Sequence, residues 1–313
     1  MDFVQNFPCI SIMLCLFAGI ISSGLRDKAA MWVNAALLTL NTVLSAYTLI
    51  YTLTLGESFV YVMGKFPAPW GNEIRVGVLE ALMALFFCII MLLSLFGGRH
   101  KLLEEVEADK TYLYYVLTDL LLSSLLALVY TNDMFTAYVF VEINTIAACG
   151  LIMIRQNGRT IEAAVRYMIM SLLGSGMLLL GLCMLYDLTG HLLMSNIKES
   201  VELVAAQGEY EIPLIVSIVL MSVGICIKSA LFPFHAWLPD AYGYSTVSSA
   251  AILSGLVSKG YIFLLIKIIY RVIGFDIYHD THIIDMLFIF GLMGMIFGSL
   301  SAIRENDIRR MIA

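Results

Sequence analysis

Residues 212–240 read IPLIVSIVLMSVGICIKSALFPFHAWLPD. The run from Ile212 to Ile227 carries no charge, and a helix needs about 20 mostly apolar residues to cross a hydrocarbon core of about 30 Å. The stretch therefore reads as a membrane span, yet Lys228 lies inside it and Pro233 follows five residues later. Proline has no N–H for the carbonyl of Ser229, and its ring clashes there, so the helix is expected to kink or unwind just after the lysine. A freed carbonyl beside a lysine calls for water or polar partners, which points to a hydrated pocket at membrane depth. A plain kink packed by neighbouring helices is the alternative.

The same reading carried outward gives spans near 7–24, 30–54, 76–97, 112–130, 133–154, 164–187, 212–238, 246–273 and 283–303. Composition agrees: of 313 residues 60% are hydrophobic and only 13% charged, against about 25% charged in a soluble domain. Mean hydropathy is +0.90. Asp2 is the only early charge and no small-residue cleavage site stands out, so the first span is read as a helix and not as a signal peptide. The expected fold is an all-α integral membrane protein of about nine transmembrane helices with a broken seventh.

Loop charges give an orientation. With the N-terminus outside, the inner loops hold Arg26, Lys28, Arg99, Lys101, Lys110, Arg155, Arg159, Arg166, Arg304, Arg309 and Arg310. The outer loops hold Lys65, Arg75, Lys198 and Arg271, and the outer loop 188–211 is acidic through Glu199, Glu202, Glu209 and Glu211. This is a positive-inside bias. The longest loops, 55–75 and 188–211, are too short for a soluble domain. No nucleotide loop or nucleic-acid motif is present. Cys9, Cys15, Cys88, Cys149, Cys183 and Cys226 all fall inside spans without a CxxC pair and read as apolar packing residues. No cofactor or metal is therefore expected in this chain.

Once the loops are accounted for, the intramembrane charges remain. Each costs at least about 2.5–3.5 kcal/mol near the middle of a span, so it should face a protein interior or a hydrated cavity. Glu142 lies mid-span in Tyr138-Val-Phe-Val-Glu142-Ile-Asn-Thr145, and suits proton transfer or ion pairing, or a protonated acid bonded to the next helix. Lys259 is central in the eighth span among Ser254, Gly255, Ser258 and Gly260, small residues that permit close helix approach or leave room for water. Lys267 is near the outer end of that span, where snorkelling and function are equal readings. Glu80 and Asp119 lie a turn or two inside the third and fourth spans, as functional groups or as interfacial acids with local hydrogen bonds. His235 follows the break, placed for proton transfer near neutral pH or exposed in a loop. If Glu142 and Lys228 approach, they titrate as one coupled unit.

Taken together, the stretch Lys228-Ser-Ala-Leu-Phe-Pro-Phe-His-Ala-Trp-Leu-Pro-Asp-Ala241, Glu142, the spacing from Asp240 to Lys259, and Asp307-Ile-Arg-Arg-Met-Ile-Ala313 resemble one family. It is that of the antiporter-like subunits of respiratory complex I, membrane-bound hydrogenases, formate hydrogenlyase and Mrp-type cation/proton antiporters. The resemblance covers essentially the whole chain and is weak before residue 75. It implies a proton half-channel on the inlet side, in which Glu142 pairs with Lys228 and Lys259 passes the proton toward the membrane centre. Glu80 matches an acidic position often found in the third span. Two positions depart from the family pattern: Ser245-Thr246-Val247 stands for Ala-Pro-Thr, and Leu253 stands for a relay histidine, which Ser254, Ser258 or water would replace.

The segments expected are helices one to three over 1–110, half-channel helices four to eight over 111–273, and a ninth helix with the start of a tenth over 274–313. The family's exit half-channel lies in further helices, so a truncated product or a split subunit is expected. The functional expectation is a proton-translocating subunit of a redox-driven complex in a bacterial or archaeal inner (plasma) membrane. Its redox cofactors would reside in partner subunits, and its contacts would be other membrane subunits, including a chain with the missing helices, and lipid. Protons, with Na⁺ a further candidate, would be the transported species. The alternatives are an Mrp-type cation/proton antiporter subunit and a membrane scaffold that has lost transport.

Overall fold

The computed structural model describes residues 3–25, 28–66, 71–208 and 210–312. Asp2, Arg26, Glu209 and Ala313 lie outside the described residues, as does the side chain of Lys65. Nine helical segments among the described residues are long and apolar enough to cross a membrane. The first six are α1 (Phe7–Gly24), α2 (Lys28–Leu55), α3 (Val78–Glu105), α4 (Thr111–Tyr130), α5 (Met134–Met153) and α6 (Gly158–Thr189). A surface helix α7 (Met194–Gln207) precedes α8 (Glu211–Lys228) and the short α9 (Leu238–Tyr244). The eighth span, Val247–Ile273, is α10 (Val247–Ile252), a π-helical turn Leu253–Val257, α11 (Ser258–Lys267) and a second π-helical stretch Ile268–Ile273. It is followed by α12 (Phe275–Asp280), α13 (Ile283–Arg304) and α14 (Ile308–Ile312).

Local chemistry sets the helix ends. Asp133 caps α5 by accepting from the Thr136 N–H at 2.6 Å, Asn157 caps α6 through Thr160 at 2.9 Å, and Thr246 caps α10 through Ser249 at 3.0 Å. Gly190 and Gly208 close α6 and α7 at φ +70° and +72°. α8 stops at Lys228, ten residues before the end of the apolar stretch. The Ala230 N–H bonds the Ile227 carbonyl at 3.2 Å and the Leu231 N–H that of Cys226 at 2.9 Å, a Schellman closure. It places Ala230 at φ +58°, where glycine is the usual occupant. The chain then passes through Pro233 and a 3₁₀ turn, Phe234–Trp237, into α9.

Packing ranks the helices. Within a continuous apolar stretch of 18 residues in each span, 72% are buried in the span ending with α4 and 6% in α13, so among the described residues α4 is the most enclosed helix and α13 the least. α6 and α8 touch backbone to backbone: a Cβ on Gly224 would lie 2.6 Å from the carbonyl oxygen of Gly174, and one on Gly181 2.8 Å from that of Ser217. Small residues at such crossings let two helices approach within a membrane, where no hydrophobic force separates helix from lipid.

Several loops expected from hydropathy are folded. An antiparallel hairpin, β1 (Phe59–Val62) with β2 (Glu73–Val76), occupies the loop between α2 and α3. The Asn132 N–H bonds the Glu73 carbonyl at 2.9 Å and ties this hairpin to the end of α4. α7 fills the acidic loop and buries Met194, Ile197 and Val201. Arg99 and Lys101 extend α3, Arg159 and Arg166 begin α6, and Arg271 is half-buried in the last turn of the eighth span instead of a loop.

Candidate functional site

The α6–α8 crossing delivers Lys228 to the interior. Its side chain is fully buried, and Nζ lies 3.4 Å from Glu142 Oε1 on α5 and donates to Thr145 Oγ1 at 2.8 Å. Glu142 and Thr145 are three apart on α5, so they share one helix face. The hydroxyl of Ser175, on α6, donates to the same oxygen of Glu142. Tyr261 of α11 closes the group: its ring is 5.6 Å from the ammonium and its hydroxyl 3.4 Å from Thr145 Oγ1. Asn144 and Tyr167 are completely buried in the same layer, beside the Tyr261 hydroxyl.

A charged pair this deep is held only if its remaining polar atoms are satisfied, because desolvation otherwise exceeds the mutual attraction. Here the ammonium has a carboxylate, a hydroxyl and an aromatic face, and the carboxylate has a hydroxyl and a partly open side. Moving one proton from Nζ to Glu142 would turn an ion pair into two neutral groups without displacing a heavy atom. Thr145, Ser175 and Tyr261 escaped the sequence reading because hydroxyls in spans are common helix-packing residues; the only signal was the shared face of Glu142 and Thr145.

Lys259 is placed elsewhere. It is exposed on the outside of the bundle, with Nζ 2.7 Å from the Ser254 carbonyl and 3.5 Å from Ser258 Oγ. The physical reason is the π-helical turn at Leu253–Val257: one residue more than an α-helix would use turns everything after it by about 100°. Lys259 borders an open cavity of about 570 Å³ that Ser229, Tyr242 and Ser258 also line, so the cavity reaches the residue directly after Lys228. The Tyr242 hydroxyl donates to the carbonyl of Leu253 at 3.3 Å, at the position where the relay histidine is absent.

His235 is half-buried, stacked 5.5 Å from the Phe232 ring, and lines a second cavity, about 420 Å³, between the broken segment and α13. Lys267 does not snorkel: it is buried, and Nζ donates to the carbonyls of Thr131, Val129 and Leu128 at 2.5, 3.0 and 3.3 Å. Glu80 accepts from the N–H of Gly77 at 2.9 Å and forms an ion pair with Arg271. Asp119 is buried below the surface, bonded by Asn34 at 2.6 Å and Ser22 at 3.5 Å. Both acids are held by hydrogen bonds within the protein, and among the described residues neither touches the Glu142–Lys228 group. Asp240, in the broken segment, carries two arginines, Arg166 at 2.8 Å and Arg310 at 2.9 Å.

These features define a polytopic α-helical membrane protein with a buried lysine–glutamate pair at a helix break. Residues 131–313 match the family described as NADH:quinone oxidoreductase/Mrp antiporter, transmembrane, and the chain belongs to that family. It is 32% identical over 272 residues to the NADH-quinone oxidoreductase subunit N of Desulforudis audaxviator, covering 86% of this chain and 52% of that one. It is 30% identical over 257 residues to a putative antiporter subunit, mnhA2, of Staphylococcus haemolyticus, covering 80% of this chain and 31% of that one. The chain thus spans about half or less of the relatives it matches. In fold it resembles a chain of the membrane-bound sulfane sulfur reductase, an archaeal respiratory membrane complex (TM-score 0.85, 22% identity, all of this chain and 62% of that one). It resembles equally a chain of the Mrp complex of a Dietzia species (TM-score 0.85, 24% identity, all of this chain and 56% of that one). The protein is a multi-pass inner-membrane protein.

Proposed function

We propose that this chain is an antiporter-like subunit of a redox-driven membrane complex and supplies a proton half-channel centred on Glu142 and Lys228. The observation that carries this reading is the 3.4 Å contact between a carboxylate and a wholly buried lysine. A lysine that gains or loses its carboxylate partner changes its hold on a proton. Electrostatic events that pull Glu142 away would release the proton from Nζ, and its return would favour capture. Ser229 and Lys259 on one cavity give the released proton a route away from the pair, with Lys259 as the next carrier. Transfer against a potential of 100 mV requires about 2.3 kcal/mol per proton, so the cycle needs an outside driver. Electron transfer on cofactors of partner chains is that driver, and the N-terminus outside, as the loop charges suggest, is the matching orientation.

The test replaces Glu142 with Gln and Lys228 with Ala in the assembled complex and measures protons moved per electron at unchanged electron flux. Both variants should pump less; unchanged pumping in both would sink the assignment. A second reading, a cation/proton antiporter subunit, draws on the 30% identity to an antiporter subunit. It predicts proton movement driven by a Na⁺ gradient with no electron donor present.

A further inference from the structure

The N-terminal bundle carries polar groups that the Glu142–Lys228 site does not use. α2 is inside out. Its outer face shows Trp32, Leu40, Val43, Ile50 and Leu53, whereas Asn34, Asn41, Ser45, Thr48 and Thr52 are 0–1% exposed. From Asn34 to Thr52 this inward stripe runs about 27 Å along the helix, close to the thickness of a hydrocarbon core.

The groups facing the stripe continue it across the bundle. Asn34 Nδ2 donates to Asp119 of α4 at 2.6 Å, and Asn41 Nδ2 lies 2.9 Å from Cys15 Sγ of α1. Ser45 Oγ is 3.6 Å from Cys88 Sγ of α3. Tyr130, completely buried at the end of α4, lies beside Ser45 and Cys88 and near Glu80. Glu80 is bonded to Arg271, with Lys267 close by. A buried carboxylate thus stands at each end of a polar line through α1–α4.

Two atoms on this line separate it from ordinary helix glue. Oδ1 of Asn34 and Oδ1 of Asn41 are buried acceptors without a hydrogen-bond partner among the described residues, although both amide nitrogens are used. An unpaired buried acceptor is costly, and water is the small donor that fits beside an amide carbonyl. A metal cation would need several oxygens gathered at one level, which this line of single groups does not offer.

We propose that this line is a second, hydrated proton path, with Asp119 and Glu80 as its terminal proton-carrying groups. Each intervening water accepts a proton from one neighbour and passes one on, so no bond is left changed after a transfer. The path goes beyond the function proposed above and does not depend on it, since none of its residues touches Glu142 or Lys228.

Cys15 and Cys88 report on the path directly. Silver ion replaces a thiol proton wherever water carries it, and the displaced proton leaves to that water. The assembled complex is exposed to Ag⁺, quenched and unfolded, and each cysteine is then alkylated and quantified by peptide mass spectrometry. A hydrated path gives several-fold loss of alkylation at Cys15 and Cys88, reversed at one of them by Asn41→Leu, which plugs the line. Full alkylation of both in the unsubstituted chain overturns the proposal. In the second arm, Asp119→Asn lowers proton translocation with Glu142 intact, and Asp119→Glu restores it. Unchanged translocation in Asp119→Asn overturns it as well, and an unfolding midpoint in detergent equal to that of the unsubstituted chain shows that the variant is still folded.

Discussion

Lys267 and Thr131 are bonded side chain to main chain: the ammonium of the eighth span reaches the carbonyl oxygen that ends α4, and those of Leu128 and Val129 too. The last carbonyls of a helix have no partner within it, and a cation there also meets the negative end of the helix dipole. Lys267→Met should therefore destabilise the protein by roughly 1.5–3 kcal/mol, the range for hydrogen bonds to a charged group. Thermal unfolding in detergent checks this, and an unchanged midpoint would mean that the lysine is dispensable.

Glu80 and Arg271 form the neighbouring pair, with side chains 1% and 23% exposed. Removing one partner strands a buried charge, so Arg271→Met alone should cost about 3–5 kcal/mol. The double variant Glu80→Gln with Arg271→Met should recover much of that loss. Additive losses in the cycle would show that the two side chains do not interact.

Gly224 decides how near α8 comes to α6. A methyl group there would sit 2.6 Å from the Gly174 carbonyl oxygen and 2.8 Å from the Leu178 nitrogen, both backbone atoms that cannot turn aside. Gly224→Ala should cost about 1–3 kcal/mol through overpacking and, by parting the helices, lower proton pumping. Ala230 offers the opposite case. At φ +58° an alanine is strained where glycine is not, so Ala230→Gly should raise the unfolding midpoint modestly. A fall in that midpoint would mean that the turn is not under strain.

The nine spans were legible because each is a long apolar run whose ends fall at charges, glycines or caps. The hairpin and α7 were not, because a short strand pair and an amphipathic surface helix give little hydropathy contrast. Glu142 and Lys228 stood out as charges in apolar surroundings, but nothing local linked them; their contact depends on the glycine crossing of α6 and α8. Lys259 exposed the limit most clearly. Its depth followed from the run length, whereas its direction depends on a π-helical turn, and a single inserted residue has no signature in an apolar stretch. Lys267 was ambiguous for a related reason, since the free carbonyls at the end of α4 that hold it come from another helix.

That outward direction makes Lys259 the most discriminating residue for the proposed route. It is exposed and, among the described residues, bonds only its own helix, to Ser254 and Ser258, so Lys259→Ala should change stability by no more than about 0.5 kcal/mol. If it takes the proton from the cavity it shares with Ser229, the same variant should assemble normally, sustain electron flux and move fewer protons per electron. Lys259→Arg keeps the charge but holds its proton too firmly to pass it on, so it should fail as Lys259→Ala does. Recovery with arginine would make the residue a fixed charge. Normal pumping in both variants would remove Lys259 from the route and leave the cavity beside Ser229 to water alone.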